Sequence, residues 1–244
     1  MATRLGTALK SGNAEIIQVF GRNEAGASLL SGVLGCPYTT SKNEVMPDAD
    51  FYIIAVTDEA ISTILSGIQI DKQIVVHTSG SVKMDVLSSF AKNYGVFYPL
   101  QTLSVQKEVD FSNVPICIES NNPGGLEKIR ALAKTISGNV VCMDSAKRKQ
   151  LHMAAVFVCN FVNHFYSIGE SLLKDQQLDF DLLKPLILET ASKALDFSPA
   201  AVQTGPAVRD NKEIMEMHLE MLEAYPEWRL FYQLISKDIL LHHN

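Results

Sequence analysis

A chain of 244 residues with 47% hydrophobic content can bury a sizeable core, as one large domain or two modest ones. Its 21 basic and 27 acidic residues give a formal net charge of −6 with no cluster of Lys and Arg, so nucleic acid is not an expected partner. The longest apolar runs, such as FYIIAV, fall short of the roughly 20 residues that span a bilayer, and no signal-peptide core opens the chain; a cytoplasmic protein without membrane association is expected.

In chain order, Ala2 to Lys10 reads as a helix, and Glu15 to Phe20 as a strand ending in Gly21-Arg22-Asn23. A helical stretch follows around Glu24 to Ser31. ADFYIIAVTD reads as a strand running into Asp58, and EAISTILSGI as a helix whose N-cap is Thr57 or Asp58. QIVVHTSG is a buried strand and SVKMDVLSSFAKNYG a helix. VFYPL, VPICIES and NVVCMD follow as strands, with the helix GGLEKIRALAKTIS between the last two. Short Val- and Ile-rich strands alternating with helices specify an α/β fold with a doubly wound, mostly parallel, Rossmann-like sheet.

The pattern changes after Asp144. Ser145 to Lys174 reads as one long helix, Asp181 to Leu195 as a second, broken or kinked at Pro185, and Asn211 to Ala224 and Glu227 to His242 as two more. The expected organisation is a nucleotide-binding domain over 1–144 and an all-helical domain over 145–244. The long helix is apolar on too many sides (MAAVFVCNFV) to lie free on a surface, so a homodimer built on the C-terminal helices is expected. Cys36, Cys117, Cys142 and Cys159 lack metal or disulfide spacing and read as buried free thiols; no metal site is expected.

Ligands of doubly wound sheets sit outside the carboxyl ends of the strands. Arg22, with Asn23, stands at a strand end, either as a solvated residue or where an Arg can hold the 2′-phosphate of NADP. The Val56–Thr57 backbone can line the cofactor. His77, Ser79 and Gly80 crowd one strand-to-helix turn, either as a helix cap with a partly buried histidine or as a polar wall of the nicotinamide pocket. Gln101, just past the next strand, can bond a substrate or a cofactor amide, or simply shape a turn.

On the long helix, with His152 at zero, Lys149 falls at about 60°, Asn160 at about 80° and Asn163 at about 20° for α-helical spacing. This stripe either bonds neighbouring helices or faces a substrate cleft. His152 suits a general acid, since an imidazole titrates in the working range, with Lys149 as the substitute and Asn163 to orient the substrate. Asp210 reads as a helix N-cap, and Arg209 can clamp a substrate carboxylate.

HTSGS, FYPLQTLS, HMAAVFVCNFVNH and QTGPAVRDN together resemble a family of Rossmann-like bacterial proteins that join a nucleotide-binding domain to a C-terminal helical domain of unknown function. That family is similar to pyrroline-5-carboxylate reductase and the deazaflavin-dependent NADP reductases and, more distantly, to 6-phosphogluconate dehydrogenase-like enzymes. The resemblance implies NADP binding, a dimerising helical domain and a cleft for a small carbonyl or imine substrate.

Such families begin with an apolar strand and a GxGNVA turn, whereas Met1-Ala2-Thr3-Arg4-Leu5 resembles only the tail of that turn. The reading this suggests is a chain short by about 10 to 12 residues at its N-terminus, from a start codon assigned too late. The rival is a reading frame whose sheet has lost its first strand and whose cofactor site is vestigial. On that view the protein is a non-catalytic dinucleotide-binding or helical dimerisation protein.

Overall fold

The computed structural model describes residues 1–104 and 107–243. They fall into two compact units, Met1–Asn160 and Phe161–Asn244. The change to all-helical structure comes after Asp144, whereas the division of the units falls within the long helix.

The first unit is α/β and Rossmann-like. Five strands form one sheet in the order β3 (Phe51–Ile54), β4 (Ile74–His77), β5 (Asn93–Pro99), β6 (Ile116–Ser120) and β7 (Val140–Cys142). All neighbours run parallel except β5 and β6. Alternate side chains leave opposite faces of a strand, and the core follows that rule. Ile74 and Val76 join Phe97, Ile116 and Ile118 under α1 (Ala2–Ser11) and α4 (Pro123–Lys134), which contribute Leu5, Leu9, Ile129 and Ala133. Val75 points the other way and packs with Ile61, Ile64, Leu65 and Leu87.

Three expectations are corrected. The strand at Glu15 to Phe20 shrinks to β1 (Val19–Phe20), which pairs only with β2 (Tyr38–Thr39), followed by α2 (Glu24–Leu34). The sheet is therefore in two pieces, because among the described residues no strand bridges β1 and β3. The segment after Ser81 forms only a 3₁₀ turn over Met84–Leu87, since Ser88 Oγ bonds the Asp85 carbonyl and competes with helix propagation. The helix after β3 is the six-residue α3 (Ala60–Leu65) with Glu59 at its N-cap; neither Thr57 nor Asp58 caps it through a side chain.

The long helix runs over Ser145–Asp175 as α5 (Ser145–Ala155), a π-helical stretch (Val156–Phe161) and α6 (Val162–Asp175). By length and composition alone it could cross a membrane, although polar residues such as Asn160, Asn163 and His164 interrupt its apolar runs. The π stretch changes the turn, so α-helical spacing does not carry from His152 across to Asn163.

The second unit contains α6, α7 (Lys184–Asp196), α8 (Lys212–Met221) and α9 (Pro226–His243). The expected helix over Asp181 to Leu195 is divided into a 3₁₀ turn (Phe180–Leu183) and α7, and Pro185 lies in the first turn of α7, where a missing N–H is harmless. Asn211, not Asp210, caps α8, accepting from the Ile214 N–H at 3.2 Å. Leu186, Leu188, Leu195, Phe197 and Met221 are exposed in this unit. All four cysteines are free, but only Cys117 is buried, and Cys142 and Cys159 are exposed.

Candidate active site

The loop after β4 lies at the carboxyl edge of the sheet and is held by its own hydrogen bonds. His77 is 0% exposed, and its Nδ1 accepts from the Ser79 N–H at 3.2 Å, which leaves the proton on Nε2. Ser79 Oγ accepts from the N–H groups of Ser81 and Val82, each at 3.1 Å. Ser81 Oγ donates to Asp58, so Asp58 braces this loop instead of capping α3. Burial first, and then the Arg148 cation, push the His77 pKa down to about 4, so the ring is neutral at physiological pH.

Tyr98, on β5, is 8% exposed and places its hydroxyl 3.1 Å from Nδ1 of His152 on α5. The rings meet edge-on, at 6.0 Å between centroids and 80° between planes. Gly80 lies against both. A Cβ there would stand 2.7 Å from His152 Nδ1 and 2.9 Å from Tyr98 Cζ, so no other residue fits without displacing the pair. His152 is half-buried, and its Nε2 carries no hydrogen bond among the described residues.

One turn before His152, Arg148 is 1% exposed and locks α5 to the sheet. Its guanidinium pairs with Glu119 on β6 and also donates to the Val82 carbonyl and to Ser145 Oγ. Glu119 accepts in addition from the Ser145 N–H at 2.9 Å and hydroxyl at 2.7 Å. Ser145 Oγ takes the Met84 N–H at 3.0 Å. The start of α5, the loop after β4 and β6 are thus one hydrogen-bonded body, and Asp144 caps α5 through the Lys147 N–H at 2.8 Å.

The family model described as Domain of unknown function (DUF2520) matches residues 114–239. The chain belongs to this family. A Bacteroides fragilis protein provisionally named an NADP oxidoreductase is 40% identical over 98% of this chain and 93% of its own, with a TM-score of 0.91. The fold is shared at lower identity with an imine reductase from Myxococcus stipitatus in complex with NADP+ (12% identity, 97% of this chain, 89% of that chain, TM-score 0.65). It is also shared with 1-pyrroline-5-carboxylate reductase from Streptococcus pyogenes (12% identity, 97% of this chain, 95% of that chain, TM-score 0.61). No curated protein matches this chain.

In this DUF2520 protein the expected site residues are dispersed. His77, Ser79, Gly80 and His152 come together as described, with His77 enclosed beneath the loop. Arg22 is exposed at the end of β1; Asn23 caps α2, accepting from the Gly26 N–H at 2.7 Å. Val56 is half-buried, and the Thr57 carbonyl takes the Ala60 N–H at 2.9 Å. Gln101 turns its side-chain oxygen onto the Thr102 N–H at 2.8 Å, a local turn contact. Lys149 and Asn160 are exposed on the long helix, while Asn163 and Arg209 are exposed in the second unit.

Tyr98, Arg148, Glu119 and Ser145 are absent from the sequence-based set. Arg148 sits four residues before His152 and so shares its helix face, a signal lost in the basic run KRK. Tyr98 shares a strand face with Val96, but nothing local says that a histidine 54 residues on will meet it. No cluster of three potential metal ligands occurs among the described residues.

Proposed function

We propose that this protein is an NADP-dependent oxidoreductase acting on a small carbonyl or imine compound, with His152 as the proton-transferring group. The observation that carries the reading is the half-buried His152, held by Tyr98 against the Gly80 loop with Nε2 unengaged, at the carboxyl edge of a Rossmann-like sheet. The similarity to the Bacteroides fragilis protein supports it.

The residues fit the adenosine end of NADP. Arg22 is exposed, has no side-chain partner among the described residues, and directly precedes the capped start of α2, where an anion is favoured. Ser79 and Gly80 would face the nicotinamide end. NADP, when bound, supplies or accepts the hydride. In the reducing direction His152, protonated on both nitrogens, gives the Nε2 proton to the substrate nitrogen or oxygen and is reprotonated from solvent. Lys149 is the substitute donor, and Gln101 and Asn160 are proposed to orient the substrate.

The exposed apolar side chains of the second unit support a homodimer through the C-terminal helices. A cytoplasmic location, without nucleic-acid or membrane partners, belongs to the same reading.

One observation favours a second reading. Among the described residues the sheet is in two pieces, which suits a helical dimerisation protein whose dinucleotide fold no longer holds the cofactor. Calorimetry with NADPH, and NADH as control, separates the two. It is run on this chain and on a form extended upstream by an in-frame strand and glycine turn. Binding with NADPH preference in either form supports the oxidoreductase; no binding in both sinks it.

A further inference from the structure

We propose that Tyr98 is the positioning residue for His152: its hydroxyl holds Nδ1 so that Nε2 alone is delivered to the reacting group. The catalytic half of this proposal rests on the oxidoreductase reading above; the holding half does not.

Two restraints act on the imidazole from different directions. The Arg148–Glu119–Ser145 network fixes the helix one turn earlier, and so fixes where Cα of residue 152 stands. It does not fix rotation of the ring about its own bonds. The Tyr98 hydroxyl does, at 3.1 Å from Nδ1. Tyr98 is itself immobile, because it is almost fully buried on β5, packed with Val96 and Cys117 and against Leu151 of α5. Gly80 then closes the seat, since its missing side chain lets the loop backbone lie directly against both rings.

A hydroxyl suits this task better than a carboxylate or a carbonyl. When the imidazole is protonated, Nδ1–H donates to the Tyr98 oxygen. When it is neutral, the phenol donates to Nδ1 and keeps the remaining proton on Nε2. Both protonation states are therefore held in one orientation, as a group that gives and regains a proton at one nitrogen requires. Burial raises the Tyr98 pKa, so the phenol stays protonated through the physiological range and can serve both states.

The test compares Tyr98→Phe, which keeps the ring and removes only the hydroxyl, with the parent protein. His152→Asn assigns the His152 signals. Side-chain nitrogen NMR of the intact protein reads the hydrogen bond at Nδ1 without any substrate. NADPH oxidation with 1-pyrroline-5-carboxylate and a simple cyclic imine as probes reads turnover.

The expected result is an unchanged fold, a His152 Nδ1 resonance displaced to that of an unbonded imidazole, and a kcat lower by roughly 10- to 100-fold at an unchanged KM. An Nδ1 resonance that does not move overturns the proposal. A displaced resonance with unchanged kcat overturns its catalytic half. If the parent turns over no probe while the resonance moves, the oxidoreductase reading and the catalytic half fall together, and the hold of Tyr98 on His152 stands.

Discussion

Arg148 and Glu119 form an ion pair whose side chains are 1% and 14% exposed, and the same carboxylate also receives both donors of Ser145. The pair ties α5 to β6 one turn before His152, so it bears on stability and site geometry together. Arg148→Met alone leaves a largely buried carboxylate without its cation and should cost about 3–5 kcal/mol. Replacing both, Arg148→Met with Glu119→Leu, should recover most of that loss, because two apolar groups need no partner. Urea unfolding of the two single variants and the double variant gives the coupling; additive losses would show that the pair is not a unit.

Gly80→Ala should be harmful out of proportion to one methyl group. The added carbon meets His152 Nδ1 at 2.7 Å and Tyr98 Cζ at 2.9 Å, and both rings are pinned. Overpacking of this kind costs about 1–3 kcal/mol. Gly32→Ala is the contrast: it lies inside α2 with nothing within 4 Å, and relief of glycine's helix penalty should stabilise by up to about 1 kcal/mol. Thermal unfolding by circular dichroism should move in opposite directions for the two variants; a common direction would mean that the Gly80 loop yields easily.

The sequence makes the buried strands legible and the sheet edge much less so. β4 and β6 declare themselves through unbroken apolar runs, because both faces are covered. The run at Glu15 to Phe20 carries the same signal, yet only Val19–Phe20 pairs, since pairing depends on a neighbouring strand that no local pattern encodes. The same limit applies at the site. His152 and the HTSGS turn stand out locally as polar residues in apolar surroundings. Their partners Tyr98, Glu119 and Arg148 look ordinary, and become functional only when the fold brings separations of 54 and 29 residues to contact. The π stretch at Val156–Phe161 has no sequence mark at all, and it undoes an angular argument that assumed a uniform helix.

Arg22→Ala tests cofactor choice separately from the fold. The side chain is exposed at the end of β1 and makes no contact that the first unit depends on, so stability should stay within about 0.5 kcal/mol of the parent. Loss of charge-assisted bonds to a 2′-phosphate, at about 1.5–3 kcal/mol, should weaken NADPH binding by roughly 10- to 100-fold and leave NADH binding unchanged. Calorimetry on whichever form binds NADPH reads both affinities. Equal losses for the two cofactors would move the 2′-phosphate elsewhere.

His77 makes stability depend on pH in a defined window. Its folded pKa of about 4 lies below the ordinary 6.5, chiefly through burial and then through the Arg148 cation. Between these values the unfolded chain binds a proton that the folded chain refuses, so stability falls as the pH falls. The contribution is complete above pH 6.5 and is lost progressively down to about pH 4, amounting to about 3 kcal/mol. His77→Gln keeps a polar side chain that does not titrate, and should flatten this part of the curve whatever its effect at pH 7. Urea unfolding of both proteins from pH 7 to pH 4 provides the comparison. Parallel curves would mean that His77 takes up its proton in the folded state as readily as in the unfolded chain, and that the loop over it opens far more easily than its hydrogen bonds imply.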